Sequence, residues 1–226
     1  MTRPRRVSRF TVLTTAGVLA LTGCGAVHPG AAAVVGQDSI TEGQVDALAQ
    51  GLCSANSGGG QLLPTREARQ GALSVLLDTE LSQQFGHKRG VTANQQQISQ
   101  ALASRSGAIA ALPEDERPAF KDALVRFLEG QQMLMDIGRR SLQAQGKTNV
   151  TPAQATAEGN RLRQQYVKTI TVTVNPSLGS FRRGTYQPAT NNGSLSVPAS
   201  ETARQGNSAN PDASWVASLP ASQQCG

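Results

Sequence analysis

Ile170-Thr171-Val172-Thr173-Val174-Asn175-Pro176 is the stretch that decides the fold of this chain. Branched apolar residues alternate with threonines over 170–174, which is the pattern of a short strand and not of a helix. Asn175-Pro176 stops it, since proline has no N–H to give a neighbouring strand. Immediately upstream, Thr151-Pro152 with Gln154 sets a helix start: a capping hydroxyl, proline at the first helical position and glutamine at the third. That helix is expected to reach about residue 168. The other strand-like stretch is Ala31-Ala32-Ala33-Val34-Val35, a small apolar run that meets the turn Gly36-Gln37-Asp38-Ser39 and then Ile40.

Between these two stretches the chain reads as helices. Thr41 with Gln44 fits a capping box, and Val45, Leu48, Ala49 and Leu52 lie on one face, predicting a first helix over about 42–53. Residues 54–61, with glycines at 58 to 60, read as a flexible loop. A second helix starts at Pro64-Thr65, with Thr65 as its cap, and runs to about 85. Its Leu73, Val75, Leu76, Leu77, Leu81 and Phe85 are too many for a narrow stripe and predict burial on more than one side. Gly86-His87-Lys88-Arg89-Gly90 ends it, with cations at the negative pole and a glycine stop, so His87 reads as a solvated helix-end residue. Thr92 and Gln95 repeat the capping-box pattern before a third helix marked by Ile98, Ala101, Leu102 and Ile109. The longest helix spans about 115–145 and carries Phe120, Leu124, Phe127, Leu128, Leu134, Ile137 and Leu142, with Met133 and Met135 as adaptable packing. The fold class is therefore mainly α. After Phe181 the composition shifts to Gly, Ser, Asn, Pro, Ala and Thr, a low-complexity tail with too little apolar surface to offset its ordering entropy. The apolar patch Trp215-Val216-Ala217-Ser218-Leu219-Pro220 lies just before Cys225.

The N-terminus carries a separate signal. Arg3, Arg5, Arg6 and Arg9 precede a short apolar run over 11–20, too short to span a bilayer as a stable helix, and small residues then lead to a cysteine. Leu21-Thr22-Gly23-Cys24 resembles the signal of bacterial lipoproteins, in which the cysteine is lipidated and becomes the new N-terminus. The resemblance implies a signal peptide over 1–23, lipidation at Cys24, a tether over 24–30 and a membrane location on the extracytoplasmic face. Durable anchoring takes two or more acyl chains, because one holds reversibly.

With the leader removed, the charge balance loses most of its meaning. The whole chain has 21 Lys+Arg against 15 Asp+Glu, but four arginines and no acids lie in the leader, which leaves 17 against 15. The remaining cations are interspersed with acids and glutamines, which argues against nucleic acid as a partner. Cys53 and Cys225 are then the two remaining thiols. An extracytoplasmic compartment permits them to pair, closing a loop of 172 residues, with two independent free thiols as the alternative. No metal site is expected, as two cysteines with the distant His28 and His87 make no ligand cluster.

The order of elements, Ala32-Ala33-Val34-Val35-Gly36 turning into Ile40-Thr41-Glu42, a run of helices, then Ile170 to Pro176, resembles the N-terminal chaperone module of SurA-like and PrsA-like secretion foldases. The resemblance covers residues 31–181 and leaves 182–226 as the tail. It implies that the opening strand pairs with the strand after the last helix in a small two-stranded sheet. It also implies that the helices between form a cradle for unfolded or secreted polypeptides. Alanine, glycine and arginine usage with the lipidation signal resembles lipoproteins of high-GC Gram-positive bacteria. One departure matters: 146–168 has room for one helix only, and no histidine follows His87, so the parvulin-type isomerase domain of many relatives has no place here. There is no G-x-S-x-G, and Gly58-Gly59-Gly60 lacks the residues of a phosphate loop. The expectation is a chaperone or holdase lipoprotein with no catalytic residues and no cofactor, or else a scaffold lipoprotein for one envelope partner. Neither reading names a client-binding residue.

Overall fold

The computed structural model describes residues 29–57, 62–190, 199–208 and 211–225, so the leader, Cys24 and His28 lie outside the described residues. Strand β1 (Ala31–Val35) buries all but one of its small apolar side chains. Gly36 then takes φ +62°, a left-handed conformation that costs glycine little, and the chain folds back as β2 (Asp38–Thr41). Thr41 closes a capping box at once: its Oγ1 accepts from Gln44 N–H at 3.1 Å, and Gln44 Oε1 accepts from Thr41 N–H at 2.8 Å. Helix α1 (Glu42–Ser57) runs from there, one turn longer than its apolar spacing predicts.

The chain returns to this start much later. Strand β4 (Val172–Val174) lies antiparallel to β1, with Ala33 opposite Val174, Val34 opposite Thr173 and Val35 opposite Val172. Gly36 N–H donates to the Thr171 carbonyl at 2.9 Å and Asn175 N–H to the Ala32 carbonyl at 2.8 Å, extending the ladder at both ends. The sheet has three strands in the order β2-β1-β4, one more than expected, because 38–41 pairs with β1 instead of passing straight into the helix.

Between the strands stand β3 (Leu63–Pro64), α2 (Thr65–Lys88), α3 (Gln95–Ala103), α4 (Ser106–Ala110), α5 (Arg117–Ala144) and α6 (Pro152–Val167). Helix α2 is the axis of the body and packs on α1, α5, α6 and β1, which is why its apolar residues surround it. One core cluster joins β1, α1 and α2 through Val35, Val45, Leu73 and Leu77, and a second gathers Phe85, Val91, Met133, Leu134 and Ile137. Helices α5 and α6 cross at glycines. A Cβ on Gly138 would stand 1.9 Å from the Ala155 carbonyl oxygen, and one on Gly159 2.1 Å from that of Leu134. Real Cβ atoms do not come so close, so the crossing requires glycine on both sides.

The capping assignments divide. Thr151 makes the expected box with Gln154, accepting its N–H at 3.3 Å. Thr65 does not cap α2: Pro64 is the cap position and has no side chain to offer, while Thr65 Oγ1 donates to the Gln224 carbonyl at 3.3 Å. Thr92 does not cap α3 either, because Asn94, nearer the helix, accepts from Gln96 and Gln97 N–H at 3.0 and 3.2 Å. Ile109 belongs to the separate helix α4.

The C-terminal segment carries more structure than its composition suggests. Strands β5 (Gly179–Arg182) and β6 (Thr185–Pro188) form a hairpin about Arg183 and Gly184, both at positive φ, a turn that matches the twist of paired strands. Phe181 faces Tyr186 across it, and both pack on the first core cluster. Tyr186 Oη donates to the Leu178 carbonyl at 2.6 Å, and burial pushes its phenol up to about 12, against the pull of the Arg66 charge. Helices α7 (Glu201–Gly206) and α8 (Ala213–Ala217) follow, and β7 (Gln224–Cys225) pairs with β3. Cys53 and Cys225 are bonded as a disulfide with Cα atoms 4.9 Å apart, which ties the end of the chain to α1.

Candidate functional site

Strand β2, the start of α1, the C-terminal half of α2 and the N-terminal half of α5 line a cleft of about 860 Å³. Its base is apolar and closed, with Ile40 and Leu48 each 5% exposed. Its walls are polar and prearranged. Glu80 Oε2 pairs with Arg126 Nη2 at 2.8 Å, and the same arginine nitrogen donates to Gln83 Oε1 at 3.3 Å. Gln84 Nε2 donates to the Val35 carbonyl at 3.0 Å, to Asp38 Oδ2 at 2.8 Å and to Glu80 Oε1 at 3.0 Å, so β1, β2 and α2 are tied at one point. Thr79 is 4% exposed, and its Oγ1 has no hydrogen-bond partner. Amide side chains offer both donors and acceptors, the complement of an extended polypeptide backbone.

Beside this cleft lies an apolar surface that the core does not absorb. Phe120, Leu124, Phe127 and Leu128 recur at helical spacing along the first half of α5, and all four are half-buried. Helices α3 and α4 pack against α5 here, and Leu102 and Ile109 on them are half-buried too. Phe120 reaches the first cluster, close enough to α1 that a Cβ on Gly51 would stand 2.7 Å from its ring. Leu102, Ile109, Leu124, Phe127 and Leu128 belong to neither cluster. Leu62, 38% exposed, is the one large apolar side chain among the described residues that is more open than this half-buried set. Helical spacing alone marked these residues as the apolar positions of a long helix, and nothing in it signalled partial exposure.

No known protein family, curated protein or solved structure matches this chain.

The residues singled out in the sequence are widely separated. His87 is exposed in the last turn of α2 on the rim of the cleft, with its carbonyl accepting from Gly90 N–H at 2.9 Å. Cys53 and Cys225 lie at the other end of α1, in the bridge already described. Among the described residues no group of three His, Cys, Asp or Glu side chains is arranged to hold a metal ion. No helix among them is long and apolar enough to cross a membrane.

Proposed function

We propose that this chain is a membrane-anchored extracytoplasmic lipoprotein that holds unfolded or secreted polypeptides as a chaperone, without prolyl isomerase activity. The observation that carries the reading is the half-buried apolar stripe of Leu124, Phe127 and Leu128, next to a cleft walled by amide and carboxylate side chains. A client strand laid there covers apolar side chains on one side and pairs its backbone on the other. Covering a partly open leucine or phenylalanine gains roughly 1 kcal/mol, against an ordering cost for each client residue of similar size. Binding is then modest and reversible, which is what release of a folding client requires. The lipid on Cys24 keeps the cradle at the membrane surface where secreted chains emerge.

A second reading, a scaffold lipoprotein for one envelope partner, draws on the prearranged Glu80, Gln83, Gln84 and Arg126 network, which suits a single fixed surface. Aggregation assays separate the two. A holdase suppresses light scattering of several unrelated unfolding proteins at near-stoichiometric amounts. Absence of suppression for all of them discards the holdase and leaves the scaffold.

A further inference from the structure

The half-buried stripe of α5 lies beside walls whose charges do not cancel, and the excess charge selects what can cover it. Three carboxylates line the cleft, Asp38, Glu80 and Asp122, against one arginine, Arg126, with His87 on the rim. Arg126 is spent on Glu80 at 2.8 Å, and its Nε donates to Gln83 Oε1 at 3.4 Å. Asp38 and Asp122 remain, one on the β2 wall and the other on α5. Both are exposed, and among the described residues neither takes part in an ion pair. Asp38 accepts from Gln84 Nε2 at 2.8 Å, a neutral donor that leaves its charge in place.

The cations nearest in sequence do not supply the match. Lys88 and Arg89, which follow His87, are held over the rings of Tyr166 and Phe85, at 4.9 and 5.2 Å from the centroids. Lys121 precedes Asp122 but is not among the residues that line the cleft. Two unmatched carboxylates over an apolar floor concentrate negative potential in the cleft. Ala119 and Ala123 line it too and adjoin Phe120 and Leu124 in the chain, so α5 carries the acidic wall over into the apolar stripe. Phe127 and Leu128 follow Asp122 on the same helix by about 7 to 9 Å, the length of two to three residues of an extended chain.

Resting on the chaperone reading, we propose that the clients of this cleft are polypeptide segments in which lysine or arginine lies within about three residues of large apolar side chains. The cation faces Asp38 and Asp122, and the apolar groups cover Phe127 and Leu128.

The full chain, with its disulfide intact, is titrated by fluorescence anisotropy with three labelled peptides, Gly-X-Leu-Phe-Ser-Leu-Phe-X-Gly, capped at both ends, in which X is lysine, glutamine or glutamate. The lysine peptide should bind about fivefold more tightly than the glutamine peptide, which is what two exposed ion pairs allow, and the glutamate peptide most weakly. That lead should shrink as salt rises from about 0.05 M to about 0.5 M, because screening acts most on exposed pairs. In Asp38→Asn with Asp122→Asn the lysine and glutamine peptides should bind alike. Asp122→Asn alone, on the surface of a helix, should remove part of the lead and serves if the double change disturbs β2. Equal binding of the three peptides, or a lysine lead untouched by either variant, would overturn the preference and leave the chaperone reading standing. Binding of none of the three would remove that reading as well, and a dimer in sedimentation that Phe127→Ser with Leu128→Ser splits would give the face to a second copy of the chain instead.

Discussion

The two halves of α5 are both apolar and are treated differently by the fold. In the second half Met133, Leu134, Ile137, Gly138 and Leu142 are all buried, whereas in the first half Phe120, Leu124, Phe127 and Leu128 are not, and the one buried residue is Gly130 at its very end. Length explains the difference. Helix α5 has 28 residues and α6 has 16, about 42 Å against about 24 Å, so α6 covers one end only. The other end is met by α1 at Phe120 and by α3 and α4, of nine and five residues, which do not cover it fully. An apolar stripe records that a helix needs a neighbour, and the neighbour's length decides whether the need is met.

The comparison breaks most sharply at Gly138. Gly138→Val places carbon inside the contact distance of the Ala155 carbonyl and should cost about 4 kcal/mol or more, read as loss of the cooperative unfolding transition at ordinary temperatures. A normal melting curve would show that the crossing is looser than described. In the open half, Phe127→Ser with Leu128→Ser should lower stability by only about 1 kcal/mol each, since these side chains are partly in solvent already. The same pair should abolish suppression of aggregation. A collapse of stability there would make the first half core after all, and unchanged suppression would move the client surface elsewhere.

The smallest effect concerns how the covered half is tied to α6. Hydrogen bonds from Arg161, at 2.7 and 2.8 Å, and from Ser141 Oγ, at 2.8 Å, hold the Glu158 carboxyl down at about 2, well below the usual carboxylate range. A depressed carboxylate pKa contributes stability above the unfolded value of 4.5, and that contribution is lost as pH falls from there toward about 2. Glu158→Gln should therefore flatten the stability profile in that acid window while leaving the body folded. An unchanged slope in acid titrations of the melting temperature would remove Glu158 from the account.

Much of the fold was legible in local chemistry. The period-two run at 170–174, the Thr41–Gln44 and Thr151–Gln154 boxes and the glycine stop at Gly90 are written in residues a few positions apart. Where sequence reasoning went astray, a distant group competed for the same atom or a nearer one did the job better, as with Thr65 turned to Gln224 and Thr92 displaced by Asn94. The hairpin of 179–188 was missed because its two aromatic residues are diluted among polar ones, and their burial depends on a core supplied by other parts of the chain. In the candidate site, the polar walls of the cleft come from β2, α1, α2 and α5, so no single stretch could announce them.

By itself the sequence determined the helices α1, α2, α5 and α6, the place of the two pairing strands, and the order in which they follow, although β4 starts at Val172 and not at Ile170. Tertiary structure alone decided that 38–41 becomes a third strand, that Thr65 turns to the Gln224 carbonyl instead of capping its helix, and that half of α5 stays open. Caps and periodicity act between residues close in sequence, whereas coverage and partner supply depend on which distant elements arrive and how far each one reaches.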